Sequence, residues 1–319
     1  MKAIAWTDYG SPDVLKLKEF DKPTPKDDEV LIKIHASSVT AGDCKLRAFN
    51  VPTGFWLPTR LVFGLTKPRN KITGMDFSGE VESVGDGVKL FKKGDLVYGT
   101  TGIKLGANAE YTSLSENSAL VKSPNNISHQ QAAVIVFGGL TAIHFLIDKA
   151  DIQRGQKVLI NGASGAVGTA SVQLASYLGA EVTAVCSTSN IELVESLGAK
   201  KVIDYSKDFT NHEDTYDVIL DAVGNLTFTQ CEKWLTKHGK VILINTGLLS
   251  NLSSIFKKNL ICGVAGETKE NLNFLKERVE AGDIEAVIDR VYPLEKTAEA
   301  HAYVDTGRKK GNVVITIEE

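Results

Sequence analysis

Over the first 120 residues the apolar positions come in short alternating runs separated by Gly, Pro and charged turns. Val30, Ile32 and Ile34 alternate within residues 30–35, and residues 80–84 and 96–98 continue the pattern. Period-two alternation of this length predicts strands with one buried face, and so a β-rich, barrel-like first part. From about residue 124 the texture changes. Unbroken apolar runs at 157–161, 181–186, 202–204, 218–221 and 241–245 alternate with helix-like segments. Repeated strand–helix units of this size predict an α/β domain with a doubly wound parallel sheet. After the first run, Val167, Ala170, Leu174 and Leu178 recur every three or four residues, predicting a helix with one buried stripe that stops at Gly179. Near the end, residues 294–305 read as a helix stopped by Gly307, and residues 312–317 as a last strand returning to the first domain.

The chain has 319 residues, enough for two cores, with 43% hydrophobic and 24% charged residues and a net charge of -3. That balance is ordinary for a globular protein and suggests neither a nucleic-acid partner nor an anionic membrane surface. The apolar run 132–147 is shorter than a bilayer span and is interrupted by Gly138, Gly139, Thr141 and His144, so it reads as a buried helix. No secretory pattern opens the chain, and a cytoplasmic location is expected. Cys44, Cys186, Cys231 and Cys262 lie far apart and read as reduced thiols; only Cys44, in a polar stretch, invites a functional reading.

The segment Lys157-Val-Leu-Ile-Asn-Gly-Ala-Ser-Gly-Ala-Val-Gly168 sets a glycine-rich turn between a buried strand and a helix. Small residues there let backbone N–H groups and the positive end of a helix meet a pyrophosphate, which points to Ser164, Gly165, Ala166 and Val167 as cofactor contacts. The next strand ends Ala184-Val-Cys-Ser-Thr-Ser-Asn190, with no carboxylate to take the ribose hydroxyls of NAD. Ser187, Ser189 and Asn190 offer neutral hydrogen bonds to a 2′-phosphate, and Tyr205 ends the following strand, so NADPH is the expected cofactor. The same polar residues would also serve as caps for the helix near Ile191.

Several segments together resemble the zinc-independent quinone oxidoreductase branch of the medium-chain dehydrogenase/reductases. They are Ser38-Val-Thr-Ala-Gly-Asp43, Gly74-Met-Asp-Phe-Ser-Gly-Glu-Val-Glu-Ser-Val-Gly85, Lys93-Gly-Asp-Leu-Val-Tyr98, Gly139-Leu-Thr-Ala142, the glycine-rich loop, Leu197-Gly-Ala-Lys-Lys-Val-Ile-Asp-Tyr205 and Asp221-Ala-Val-Gly224. The resemblance implies a GroES-like catalytic domain from residues 1–123 and 266–319, and a Rossmann domain at 124–265. It places Thr141, Val223, Asn245, Thr246, Gly263, Val264 and the returning segment Arg308, Gly311 and Asn312 beside the cofactor. Where zinc-dependent relatives hold their metal with Cys and His, this chain has Thr40 and Met75, so no metal is expected.

Without a Lewis acid, the implied acceptor is one that takes hydride readily, a quinone or an α,β-unsaturated carbonyl. Thr40, Asp43 and Tyr111 are the candidate catalytic polar groups, although Asp43 equally suits a loop-orienting role and Tyr111 domain packing. His129, His144 and His301 read as helix or surface residues rather than general acids. Residues 55–63, Phe-Trp-Leu-Pro-Thr-Arg-Leu-Val-Phe, read either as a roof over the substrate pocket or as a flap closing the core. The apolar segment 260–264 is expected at a sheet edge, where two copies would pair as a homodimer. Another reductase or dehydrogenase of the same fold, or a non-catalytic cofactor-binding protein, is the alternative.

Overall fold

The computed structural model describes residues 1–207 and 214–317. Strands β1 (Lys2–Trp6), β2 (Leu15–Glu19), β3 (Glu29–Val39), β4 (Asp76–Val84), β5 (Leu96–Thr100), β6 (Tyr111–Ser115) and β7 (Leu120–Lys122) make up the first part, with helices α1 (Ala41–Ala48) and α2 (Trp56–Phe63). Helix α3 (His129–Ala142) leads to β8 (Lys157–Asn161), α4 (Ala166–Tyr177), β9 (Glu181–Cys186), α5 (Ile191–Ser196), β10 (Lys201–Asp204) and β11 (Tyr216–Asp221). Then come α6 (Phe228–Glu232), β12 (Leu235–Leu243), α7 (Leu248–Phe256), β13 (Leu260–Cys262), α8 (Lys269–Glu280), β14 (Ile288–Pro293), α9 (Thr297–Asp305) and β15 (Asn312–Thr316).

Long β3 organises the first sheet, whose order is β14-β15-β3-β4-β5-β7, with β6 also paired to β3. The returning strand β15 lies antiparallel to β3, with Val313 opposite Val39, so the two ends of the chain share one sheet. The second sheet is parallel throughout, in the order β10-β9-β8-β11-β12-β13. Val158, Leu159 and Ile160 are all 0% exposed, as expected of a strand covered on both faces. Chain order reverses between β8 and β11, and a crevice opens beyond the carboxyl ends of these strands.

Helix α3 packs on α4 and also on β3, β4, β5 and β15, which joins the two sheets into one body. It continues as a π-helical stretch, Ile143–Lys149, and the apolar segment His129–Lys149 is 72% buried. One apolar cluster accordingly runs from Tyr98 and Val121 of the first sheet through α3 to β8, β9 and β11. Tyr98 adds a polar tie there, donating its hydroxyl to the Leu272 carbonyl of α8 at 2.6 Å.

Three expectations change. Helix α4 has no single stripe: Thr169, Ser171 and Gln173 are buried beside Ala170, Val172 and Leu174, because α3 and the segment at Glu285 cover the side away from the sheet. Strand β12 ends at Leu243, leaving Asn245 and Thr246 in the loop that follows. Residues 55–63 contain α2, which has no buried residue and contributes nothing to the lining of the cleft, so it does not roof the pocket. The Arg60 guanidinium anchors α2 by lying over the rings of Tyr9, Phe49 and Trp56, at 4.1, 3.8 and 5.3 Å.

The tightest point of the second sheet is Gly168, where a Cβ would come within 2.1 Å of the Gly162 carbonyl oxygen. Gly168→Ala should therefore cost roughly 2–4 kcal/mol in a urea melt. An unchanged midpoint would mean that helix and loop are not packed this closely.

Candidate functional site

The crevice is a cleft of about 1220 Å³ between the two sheets. On one wall, Gly162, Ser164, Gly165, Ala166 and Val167 present the glycine-rich turn. Helix α4 starts at Ala166 with no side chain capping its first N–H groups, which leaves them facing a ligand. Beside it, buried Asp221 organises the turn after β11. Its carboxylate accepts from the backbone N–H groups of Val223, Gly224 and Leu226, each at 3.0 Å, and from Asn161 Nδ2 at 2.9 Å. Val223 is thereby held at the cleft wall, 48% exposed.

At the end of β9, Ser187, Ser189, Asn190 and Tyr205 line the cleft together. Asn190 donates to Ser164 Oγ at 2.9 Å, and Ser187 and Ser189 are hydrogen-bonded to each other at 3.2 Å. The cation missing from this strand is supplied from the other unit. Lys310 Nζ donates to the Ser189 carbonyl at 3.3 Å, and Arg308 lines the same cleft. The strap that carries them is pinned by Gly311 N–H, which donates to the Ser164 carbonyl at 2.7 Å. Asp204, at the end of the neighbouring strand, is tied up by the Thr188 and Ser206 hydroxyls, which hold its carboxyl below the usual range. Hydroxyls, an amide and two cations fit a phosphate better than a ribose diol.

At the far end the wall is apolar, with Phe137, Leu140, Phe145 and Ile244, and Thr141 donates its hydroxyl to the Phe137 carbonyl at 2.7 Å. Asn245, Gly263 and Val264 also line the cleft; Thr246, Gly311 and Asn312 lie behind it, with Asn312 donating to the Val287 carbonyl at 3.1 Å. Besides Arg308 and Lys310, four ionisable groups face the cleft from the first unit and its junction: Lys45, Asp76, Glu267 and Lys309. Burial lowers the Lys45 pKa and brings Lys309 down to about 8. Burial, followed by the charges of Asp43 and Glu267, raises Asp76 well above the carboxylate range, and burial raises Glu267. Ser38 donates its hydroxyl to Asp76 at 3.0 Å.

The three sequence-based catalytic candidates do not meet in this cleft. Thr40 and Asp43 form a buried capping box at the start of α1, with the Asp43 carboxylate accepting from Thr40 N–H at 2.8 Å and Thr40 Oγ1 at 2.6 Å. Tyr111 sits on β6 under Lys22 Nζ, 3.9 Å from its ring centroid, and lines no part of the cleft. His301, expected in a helix or at the surface, is a buried residue of α9. Its Nδ1 lies 3.3 Å from Cys44 Sγ, and burial pushes its pKa down to about 3, so it is no acid at neutral pH. Burial likewise raises the Cys44 thiol out of reactive range.

Sequence reading passed over Lys45, although it follows Ala41 by four residues on α1, one turn along the same face. Glu267 carried no local signal, because only the fold brings it to the cleft, whereas Lys310 lies inside the returning segment 308–312 that the resemblance placed beside the cofactor. Zinc does not fit: Thr40 is committed to the capping box, Met75 is a thioether, and no cluster of three His, Cys, Asp or Glu suited to a metal exists among the described residues.

If Lys310 completes the phosphate subsite, Lys310→Ala should weaken NADPH binding about tenfold and leave NADH nearly unchanged. Fluorescence titration checks it; equal losses for both nucleotides would remove the lysine from that role.

Residues 26–125 match the alcohol dehydrogenase GroES-like domain, and residues 197–315 the zinc-binding dehydrogenase family. The chain is 36% identical to 2-methylene-furan-3-one reductase of Solanum lycopersicum, over 99% of this chain and 79% of that protein. It is 33% identical to the NADPH-dependent alkenal/one oxidoreductase, chloroplastic, of Arabidopsis thaliana, over 99% and 79%. With the human quinone oxidoreductase it shares 32% identity over 96% and 94%. The structure of the quinone oxidoreductase from Coxiella burnetii superposes with a TM-score of 0.88 at 28% identity, covering 100% of this chain and 99% of that one. A GroES-like unit joined to a parallel-sheet dinucleotide fold, with the metal ligands replaced, has one family to match, and the chain belongs to the zinc-independent quinone oxidoreductase branch of the medium-chain dehydrogenase/reductases.

Proposed function

We propose that this protein is an NADPH-dependent, metal-independent oxidoreductase that reduces a quinone or an α,β-unsaturated carbonyl. The observation that carries this reading is the cleft itself. One end offers hydroxyls and cations to a 2′-phosphate, and the other offers an apolar wall with Lys45 and Asp76. The names of the relatives, an NADPH-dependent alkenal/one oxidoreductase and a quinone oxidoreductase, agree with it. In this reading residues 1–123 with 266–319 bear the acceptor site and residues 124–265 bind NADPH.

NADPH supplies the hydride, and the chain supplies position and polarisation. The glycine-rich turn and the α4 N-terminus hold the pyrophosphate, with Thr141, Val223 and Asn245 flanking the nucleotide. Phe137 and Phe145 exclude water from the acceptor. As hydride arrives, negative charge builds on the acceptor oxygen, and the Lys45 ammonium is placed to stabilise it, while burial disfavours charge on the Asp76 carboxyl at the same cleft. Thr40 and Asp43 act from behind, by fixing the start of α1 and so the placement of Lys45.

Lys45→Met should lower kcat/KM for an enone by about 10–100-fold and leave NADPH affinity unchanged. Because burial lowers its pKa, Lys45 is charged below that value and loses its proton as pH rises through it. Wild-type activity should therefore fall on the alkaline side earlier than an ordinary lysine would dictate, and the variant should lose that limb. An identical profile in the variant would exclude Lys45.

The same reading includes a homodimer and a cytoplasmic location. Strand β13 is the edge of the parallel sheet, its Leu260-Ile-Cys262 edge carries no charge, and Val264 beside it is 91% exposed. The segment His129–Lys149 is spent on the core. Light scattering should give twice the 34.5 kDa chain mass, and Ile261→Lys should halve it. A monomeric wild type would rule the dimer out.

A further inference from the structure

Two helices outside the cleft hold apolar side chains in water. Trp56, Leu57, Leu61 and Val62 of α2 are 55, 55, 57 and 48% exposed, and Ile255 and Phe256 of α7 are 73 and 85% exposed. The two helices belong to different units, and their approaches touch: Leu248 N–H, at the start of α7, donates at 2.8 Å to the carbonyl of Thr53, which precedes α2, and Gly54 lies against the Leu248 side chain. Apolar surface of this extent, brought together from two parts of the chain, requires a partner.

The charges say which. Between Asp43 and Asp76 the sequence has no acid but has Lys45, Arg47, Arg60, Lys67, Arg69 and Lys71; between Glu232 and Glu267 it has none but has Lys233, Lys237, Lys240, Lys257 and Lys258. The chain has four acid-free stretches of 29 to 34 residues, and these two, which coincide with α2 and α7, carry six and five Lys or Arg against one in 117–147 and two in 152–180. Lys45 faces the cleft, Arg47 is buried in a pair with Asp305, Arg60 is used internally under three rings, Lys257 lies over Phe228, and Lys67 reaches Asp8 at 3.6 Å; Arg69, Lys71 and Lys258 are exposed, with Arg69 donating to the Leu61 carbonyl at 3.2 Å and Lys258 two positions after Phe256. A second copy seated here would set a basic patch against itself across a two-fold axis. A bilayer with anionic headgroups offers hydrocarbon for the apolar side chains and negative charge for their rim, with Trp56 at the depth its ring favours.

We propose that the face formed by α2 and α7 docks peripherally on an anionic membrane surface. The net charge of the whole chain conceals this face by averaging it with acidic regions elsewhere.

The test is co-sedimentation of the full chain with vesicles of phosphatidylcholine alone or mixed equally with phosphatidylglycerol. Binding should occur only to the mixed vesicles and fade at 1 M salt, where screening acts over about 3 Å. Leu57→Ser combined with Leu61→Ser and Val62→Ser should weaken it at least about tenfold. Arg69→Gln, Lys71→Gln and Lys258→Gln should each weaken it by roughly fivefold. Turnover of a water-soluble acceptor and the mass in solution should not change in any of these variants, which separates a docking loss from misfolding. No binding to mixed vesicles, or equal binding to both kinds, overturns the proposal. So does a serine variant that shifts the mass in solution while binding vesicles normally, because the face would then lie between copies.

Discussion

The architecture depends on one backbone contact between the two units. Gly311 N–H donates to the Ser164 carbonyl at 2.7 Å, and Gly165 and Gly311 pair as a two-residue bridge between the glycine-rich turn and the returning strap. At Gly311, φ is +64° and a Cβ would come within 2.4 Å of the Val287 carbonyl oxygen, so a glycine is required on two counts. This seam ties the last strand of the first unit to the first turn of the second. Lys310 and Arg308 immediately precede it, so the contact that joins the units also carries their cations to the phosphate end of the cleft. The segment that unites the two units therefore also lines the cleft between them.

The loss of the metal follows a similar economy. Thr40 stands where zinc-dependent relatives place a ligand, and its hydroxyl and N–H are spent on the Asp43 carboxylate. That capping box stabilises the start of α1, and Lys45, one turn further along, projects into the cleft. A metal would polarise the acceptor strongly and from a fixed point. On the reading proposed above, the half-buried Lys45 ammonium takes that part and polarises the acceptor less, which suits acceptors already prone to take hydride. The chemistry left to the site is thus narrower than that of the zinc enzymes, for reasons visible in two substituted positions.

Much of this was legible in the chain. Residues 157–161 and 181–186 are strands with the expected ends, and 312–317 returns to the first sheet as β15, because runs buried on both faces and clean alternation are signals that few competing structures share. The glycine-rich turn, Ser187, Ser189, Asn190 and Tyr205 do line one cleft. What escaped was whatever depends on contacts distant in sequence. Thr169, Ser171 and Gln173 look like the solvent face of α4 until another segment covers them, and Gln173 bonds to Glu285, 112 residues away. Tyr111 looked reactive by residue type alone, and its strand carries it to Lys22. Lys310 falls inside the returning segment that the resemblance placed beside the cofactor, but its contact with the Ser189 carbonyl depends on the seam.

The same limit applies to charge. A net value of -3 describes the chain as seen from far away, and screening confines electrostatics at physiological salt to about 8 Å. A partner at the surface responds to the local patch, and the fold decides which residues share one. Here it gathers two acid-free segments, some 190 residues apart along the chain, through the contact between Thr53 and Leu248. The acidic residues are distributed elsewhere; Asp95, for example, pairs with Lys122 at 3.0 Å on the first sheet. A polypeptide that is mildly acidic overall can therefore present one strongly basic, apolar face, provided that its acids are kept out of the segments that build it.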